Sequence, residues 1–239
     1  MVYVDPKNLG YLPFWQKWVN TRTGKVEKEN LMRLYEKYVP SLIDMVVEGI
    51  VDGRQGEKMK TIIPLTNLNM VTQLANMLDA MITRELTEAD ELEAIFLQGL
   101  TWSIGASLLE DGRVKFDSQV KALAAMQAVT DDNKTMAGLG ELPSTHPTLF
   151  DYFFDMEPKK WVAWVSLVPK YKHDPARKYN EILVPTLDTV RTTWLLNLMV
   201  RIKRPVVLIG ETGTSKTATV SNFLRTLDQD SHVSPLFYF

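Results

Sequence analysis

Apolar residues at Leu31, Leu34, Tyr35, Tyr38, Val39, Leu42, Ile43, Val46, Val47 and Ile50 recur at steps of three and four. That spacing puts them on one face of an α-helix. Pro40 falls inside the stripe and predicts a kink or break, because proline has no N–H to donate and its ring crowds the preceding turn. Asp52-Gly53-Arg54-Gln55-Gly56 then reads as a turn. A second stripe, Val71, Leu74, Ala75, Leu78 and Met81, follows Thr66, whose hydroxyl suits a helix N-terminus. A third, Leu92, Ile95, Phe96 and Leu100, follows Thr87-Glu88-Ala89-Asp90, which is spaced as a capping box. This helix is expected to run to about Leu109 and to be closed by Asp111-Gly112. Another helix is predicted over Val114 to Val129. Ahead of all these, Val2 to Val4 reads as the end of a strand stopped by Asp5-Pro6, and Leu12 to Trp18 as an aromatic anchor in a loop or short helix. The first half is therefore a set of antiparallel helices.

The pattern changes in the middle. Thr130 to Thr148 is polar, carries Gly138, Gly140, Pro143 and Pro147, and reads as a linker. Leu149 to Val168 is dense in Phe, Tyr and Trp, and Trp161 to Val165 is predicted as a strand or hairpin arm. A second polar stretch, Pro169 to Asn180, precedes Ile182-Leu183-Val184-Pro185. Three parts result: residues 1–128, a connector over 129–180, and a final part over 181–239.

The final part carries the chemistry. Asp188 to about Lys203 is an amphipathic helix with Val190, Trp194, Leu195, Leu198, Met199 and Ile202 on one side. Pro205-Val206-Val207-Leu208-Ile209 is a short continuous apolar run, the pattern of a buried parallel strand. Gly210-Glu211-Thr212-Gly213-Thr214-Ser215-Lys216-Thr217 comes next, and then a helical pattern through Val220, Phe223, Leu224 and Leu227. Strand, glycine-containing loop with Lys-Thr, helix is the context a phosphate-binding loop requires.

Each part has a physical reason. A phosphate needs several backbone N–H groups converging on it, and such a loop wraps them into a concave nest. Glycine lets the main chain turn and approach without a Cβ in the way. The following helix directs its free N–H groups and the positive end of its dipole at the anion. Lys216 supplies a charge for the terminal phosphates, and the Thr217 hydroxyl a ligand for Mg2+. The expected ligand is thus ATP or ADP with Mg2+. The loop departs from the usual pattern in one place: Ser215 stands where glycine precedes Lys-Thr. A Cβ there crowds the phosphate or disfavours the backbone angles, so lowered affinity or turnover is expected. The competing reading is a polar turn between strand and helix. After Thr217 there are 22 residues, among them Pro235 to Phe239, which reads as a second strand starting. The acidic residues that hold magnesium and orient water are not expected within this chain, so binding without hydrolysis is the expectation.

Composition removes several classes. The formal charge of −2 gives no electrostatic reason to expect nucleic acid or an anionic membrane. With no cysteine there is no disulfide, thiolate metal site or thiol nucleophile. No apolar run reaches bilayer-spanning length, and a cytosolic location is the default. His146, His173 and His232 lie far apart without metal-ligand spacing and read as surface histidines. Trp102, Trp161, Trp164 and Trp194 read as core anchors. Arg113 has two readings, a charge facing a neighbouring nucleotide or a salt-bridged arginine. Glu85, Glu88, Asp90 and Glu91 read as acids favouring a helix N-terminus.

Two runs carry a resemblance: Ile182-Leu183-Val184-Pro185-Thr186-Leu187-Asp188-Thr189-Val190-Arg191, and Lys203-Arg204-Pro205-Val206-Val207-Leu208-Ile209-Gly210. They resemble the opening of the third AAA+ module of dynein heavy chains, and the Thr-Ser-Lys-Thr loop looks like that of axonemal inner-arm chains. Ile62-Ile63-Pro64, Asn69-Met70-Val71, Trp102 to Ala106 and Gly112 to Asp117 resemble the helical lid of the second module, and Leu149-Phe150-Asp151-Tyr152 with Trp161 and Trp164 the connection onward. The resemblance covers essentially the whole chain. It implies an α/β chain with a mostly helical N-terminal half, a helical lid followed by the incomplete start of a P-loop parallel-sheet domain. It also implies that Val184, Pro185 and Thr186 line the base pocket, and that residue 1 lies inside a longer parent. Implied partners are the rest of the heavy-chain ring, the other dynein subunits and, through regions outside this sequence, microtubules, in the cytoskeleton of a cilium or flagellum axoneme. The rival reading is a non-catalytic interaction or scaffold piece with a vestigial phosphate loop.

Overall fold

The computed structural model describes residues 10–130, 135–172, 182–228 and 232. The expected strands at Val2–Val4 and Pro235–Phe239, and His173, lie outside the described residues. The chain divides into two compact units, Met1–Ala163 and Trp164–Phe239.

The first unit is built on helices. α1 (Leu12–Asn20) and α2 (Lys25–Val47) are followed by the two-residue strands β1 (Ile50–Val51) and β2 (Arg54–Gln55), an antiparallel pair around the expected turn. α3 (Asn67–Met81), α4 (Ala89–Ser103) and α5 (Glu110–Ala124) complete the helical set. Leu31, Leu34, Tyr38 and Leu42 of α2, Val71, Leu74 and Leu78 of α3, and Leu92, Phe96 and Leu100 of α4 are fully buried. The three stripes thus face one core. Thr66 caps α3 as expected, its Oγ1 accepting the Asn69 N–H at 3.2 Å.

Several boundaries differ from the sequence pattern. α2 runs unbroken through Pro40, because Tyr38, Val39, Leu42 and Ile43 on either side are all buried and packing outweighs the lost hydrogen bond. α4 begins after Glu88, which makes no side-chain cap, and stops at Ser103 rather than Leu109. Just past the stop the Gly105 N–H donates to Leu100 O at 3.1 Å, and a Cβ at this position would stand 2.8 Å from both Phe116 and Phe150, so only glycine fits. Asp111-Gly112 lies inside the first turn of α5, where acids match the helix dipole. α5 ends at Ala124 because Ala125 adopts φ +53°, and residues 127–129 are strand rather than helix.

The expected connector contributes folded structure to the first unit as far as Ala163. β3 (Gln127–Val129) and β4 (Glu141–Pro143) pair in parallel. After a 3-10 turn at Leu149–Asp151, β5 (Tyr152–Asp155) and β6 (Lys160–Ala163) form an antiparallel hairpin. Its Phe154 and Trp161 are buried with ring centroids 5.3 Å apart, and the Phe154 N–H donates to Gln98 Oε1 of α4 at 2.8 Å. Burying those rings against α4 makes the hairpin, of which Trp161 to Ala163 belong to the expected hairpin arm, part of the first unit's core. Asp117 ties α5 to this region, accepting from the Leu149 N–H at 2.6 Å and from Lys121 Nζ at 2.7 Å. Burial raises its carboxyl above the ordinary value despite both partners.

α4 is buried on every side from Glu91 to Ser103, not only along its expected stripe. Its charges are paired accordingly. Glu93 accepts from Tyr38 Oη at 2.5 Å and Lys37 Nζ at 2.7 Å, while Glu91 accepts from Arg84 and forms an ion pair with Lys159 Nζ at 3.2 Å. Of the expected acidic cluster, Glu85, Glu88 and Asp90 are exposed and Glu91 is the member held in a buried ion pair. Burial, with Glu93 beside it, pushes the Tyr38 hydroxyl above its usual range.

The second unit holds a 3-10 turn at Trp164–Leu167, α6 (Leu187–Arg201) and α7 (Lys216–Thr226). Trp164 is buried, with its ring centroid 5.4 Å from that of Trp194 on α6. Residues 205–209 form no strand among the described residues, and Val207 and Ile209 are 80% and 68% exposed. The expectation of a buried parallel strand is corrected here. A parallel strand takes its hydrogen bonds from neighbouring strands, and none of the described strand pairings includes this segment. No described helix is long and apolar enough to cross a membrane.

Candidate phosphate-binding site

The loop from Gly210 to Ser215 leads directly into α7, whose first residue is Lys216. Gly213 takes φ +88°, a conformation that favours glycine. Ser215 takes φ +57° and ψ +17°, in the left-handed region, immediately before the right-handed Lys216. Left-handed next to right-handed is the combination from which backbone anion nests are made. Thr219 closes the joint from the helix side: its N–H and its hydroxyl both donate to Ser215 O at 2.9 Å.

Lys216 folds its side chain back along the loop. Its Nζ donates to Gly210 O at 2.9 Å, to Glu211 O at 2.5 Å and to Thr214 Oγ1 at 3.1 Å. Thr214 Oγ1 in turn donates to Glu211 O at 2.8 Å. A Cβ at Gly210 would stand 3.1 Å from Thr214 Oγ1 and 3.6 Å from Lys216 Cδ, so glycine keeps this ground clear. Gly210, Glu211, Thr214 and Lys216 are thus brought together. Thr212 is exposed in the turn, and Thr217 is exposed in the first turn of α7.

These residues fit a phosphate: a glycine-cleared cradle, a helix N-terminus and one ammonium group. For Mg2+ the donor set is smaller. Thr217 offers a hydroxyl, and no group of three or more His, Asp or Glu gathers among the described residues.

The other candidates are placed as follows. Val184 is 50% exposed, Pro185 is half-buried, and Thr186 caps α6 through a reciprocal pair with Thr189, at 2.8 and 3.2 Å. Arg113 donates to the carbonyls of Leu108 (3.1 Å) and Ala106 (3.0 Å) and lies over the Phe150 ring. Its guanidinium is a brace within the first unit. His146 packs beside the Tyr152 ring, and His232 follows α7. Trp102, Trp161 and Trp164 are buried as core anchors. Periodicity did not reveal the role of Thr214 beside the ammonium, which only the folded loop brings about.

Residues 31–166 match the family description "Dynein heavy chain AAA lid domain", and residues 171–239 match "P-loop containing dynein motor region". The chain belongs to the dynein heavy chain family. Within that family it is 58% identical over 233 residues to dynein axonemal heavy chain 10 of Homo sapiens. It is 38% identical over 239 residues to the dynein-1-alpha heavy chain, flagellar inner arm I1 complex, of Chlamydomonas reinhardtii. It is 30% identical over 240 residues to the dynein beta chain, ciliary, of Tripneustes gratilla. Each match covers 98% of this chain and 5% of the relative. The helical first unit and the loop of the second therefore correspond to a dynein lid and the start of a dynein P-loop region.

Proposed function

We propose that Gly210 to Thr217 holds the phosphates of ATP or ADP with Mg2+, with Lys216 as the charged contact, Thr217 as the metal ligand and Val184 to Thr186 beside the base. The observation that carries this reading is the Lys216 ammonium, drawn into the loop by Gly210 O and Glu211 O instead of extending into solvent. The chain would serve as a nucleotide-binding part of an axonemal, inner-arm-like heavy chain in a microtubule motor of cilia or flagella. In that setting residues 1–128 are the end of one module and its lid, 129–180 the connector and 181–239 the start of the next module. Its partners would be the rest of the heavy-chain ring and the other dynein subunits, with microtubules engaged by other regions of the heavy chain. Nucleotide state at the loop would then bias how ring movements pass from module to module.

Calorimetric titration with MgATP and MgADP tests the site. Lys216→Ala is expected to weaken binding by about 10- to 100-fold, the scale of a hydrogen bond to a charged group. Unchanged affinity would remove the loop from consideration. The second reading, an interaction piece with a vestigial loop, draws on the exposed apolar Val207 and Ile209. It predicts no measurable heat with either nucleotide.

A further inference from the structure

An ammonium group has three N–H donors and no acceptor. In this loop all three of Lys216 are engaged, two by main-chain carbonyls and one by the Thr214 hydroxyl. The three partners are not equivalent. Gly210 O and Glu211 O belong to the backbone that forms the cradle, and they stay in place as long as the loop is folded. Thr214 Oγ1 is the longest contact, at 3.1 Å, and sits on an exposed side chain that turns about a single bond. It is a neutral acceptor, and a phosphate oxygen is an anionic one that bonds an ammonium group more strongly.

We propose that Thr214 is a positioning residue that sets the affinity of this site for nucleotide phosphate, its hydroxyl being the Lys216 partner that an incoming phosphate oxygen replaces. The inference rests on the phosphate-binding reading above. The two carbonyls hold Nζ within the loop. The hydroxyl therefore competes with the phosphate for the third N–H, and its removal favours the ligand. Since Thr214 Oγ1 also donates to Glu211 O, the conservative serine keeps both bonds and the competition with them.

The test compares the whole chain with Thr214→Val, Thr214→Ser and Lys216→Ala, reading MgADP affinity and the acylation rate of Lys216 by an N-hydroxysuccinimide ester. Thr214→Val is expected to bind MgADP about two- to tenfold more tightly, the scale of one net hydrogen bond, with faster acylation of Lys216. Thr214→Ser is expected to match the wild type in both. Tighter binding with faster acylation in the valine variant alone supports the inference. Equal or weaker binding by Thr214→Val, while Lys216→Ala still loses affinity, overturns the role of Thr214 and leaves the phosphate site standing. Equal binding by wild type and Lys216→Ala overturns both.

Discussion

Ser215 holds φ +57° at the joint between loop and helix, where an L-residue pays about 1–2 kcal/mol relative to right-handed backbone. Glycine has no such cost, and a β-branched residue suffers most because its second γ-atom meets the backbone. Nucleotide affinity is therefore expected to follow the order Gly, Ser, Val at this position. Ser215→Gly should bind at least as tightly as the wild type, and Ser215→Val more weakly by about 1–2 kcal/mol; fluorescence titration with a labelled ADP reads the order. A valine variant that binds as well as serine would show that the left-handed joint is not part of the site. This residue was legible in the sequence as the one departure from a familiar loop, and its backbone angle gives that departure a physical meaning. Thr214 was not legible in the same way. Its hydroxyl matters only because Lys216 folds back over two residues to reach it, a choice that neither spacing nor composition encodes.

Pro40 makes the corresponding point for a helix. It sits in the interior of α2 without interrupting it, so one main-chain hydrogen bond is absent and the preceding turn is crowded. Pro40→Ala is expected to stabilise the first unit, by up to about 3 kcal/mol, in urea unfolding followed by tryptophan fluorescence. A destabilised variant would mean that the proline ring itself fills the core. Where one residue type decides an element, the sequence was readable: Thr66 at the start of α3, and the apolar faces of α2 and α3. Where neighbours decide, it was not. Just past α4, position 105 requires glycine because the Phe116 and Phe150 rings leave no room for a side chain, and those rings lie 11 and 45 positions further along the chain. Ala125 terminates α5 in a left-handed conformation that has no glycine or asparagine to announce it.

At the scale of the whole molecule, the two units were legible in different degrees. The helical first unit followed from three amphipathic stripes. Its central helix nevertheless reads as amphipathic while being buried all round, because Glu91 and Glu93 are neutralised by Arg84, Lys159 and Lys37 from elsewhere in the fold. The second unit followed from local order along the chain, helix, apolar run, loop, helix. Whether an apolar run such as 205–209 becomes a strand depends on strands beside it, and composition is silent on that. The loop can form without them, since its hydrogen bonds run from Lys216, Thr214 and Thr219 to carbonyls within nine residues.

That self-contained loop is the centre of the account, and peptide-level hydrogen exchange of the whole chain, with and without MgATP, tests it most directly. Slower exchange confined to residues 210–217 and the first turn of α7, with α4 and the hairpin Tyr152–Ala163 unchanged, is the predicted result. Identical exchange of residues 210–217 at saturating nucleotide, or protection that appears only in the first unit, would contradict it.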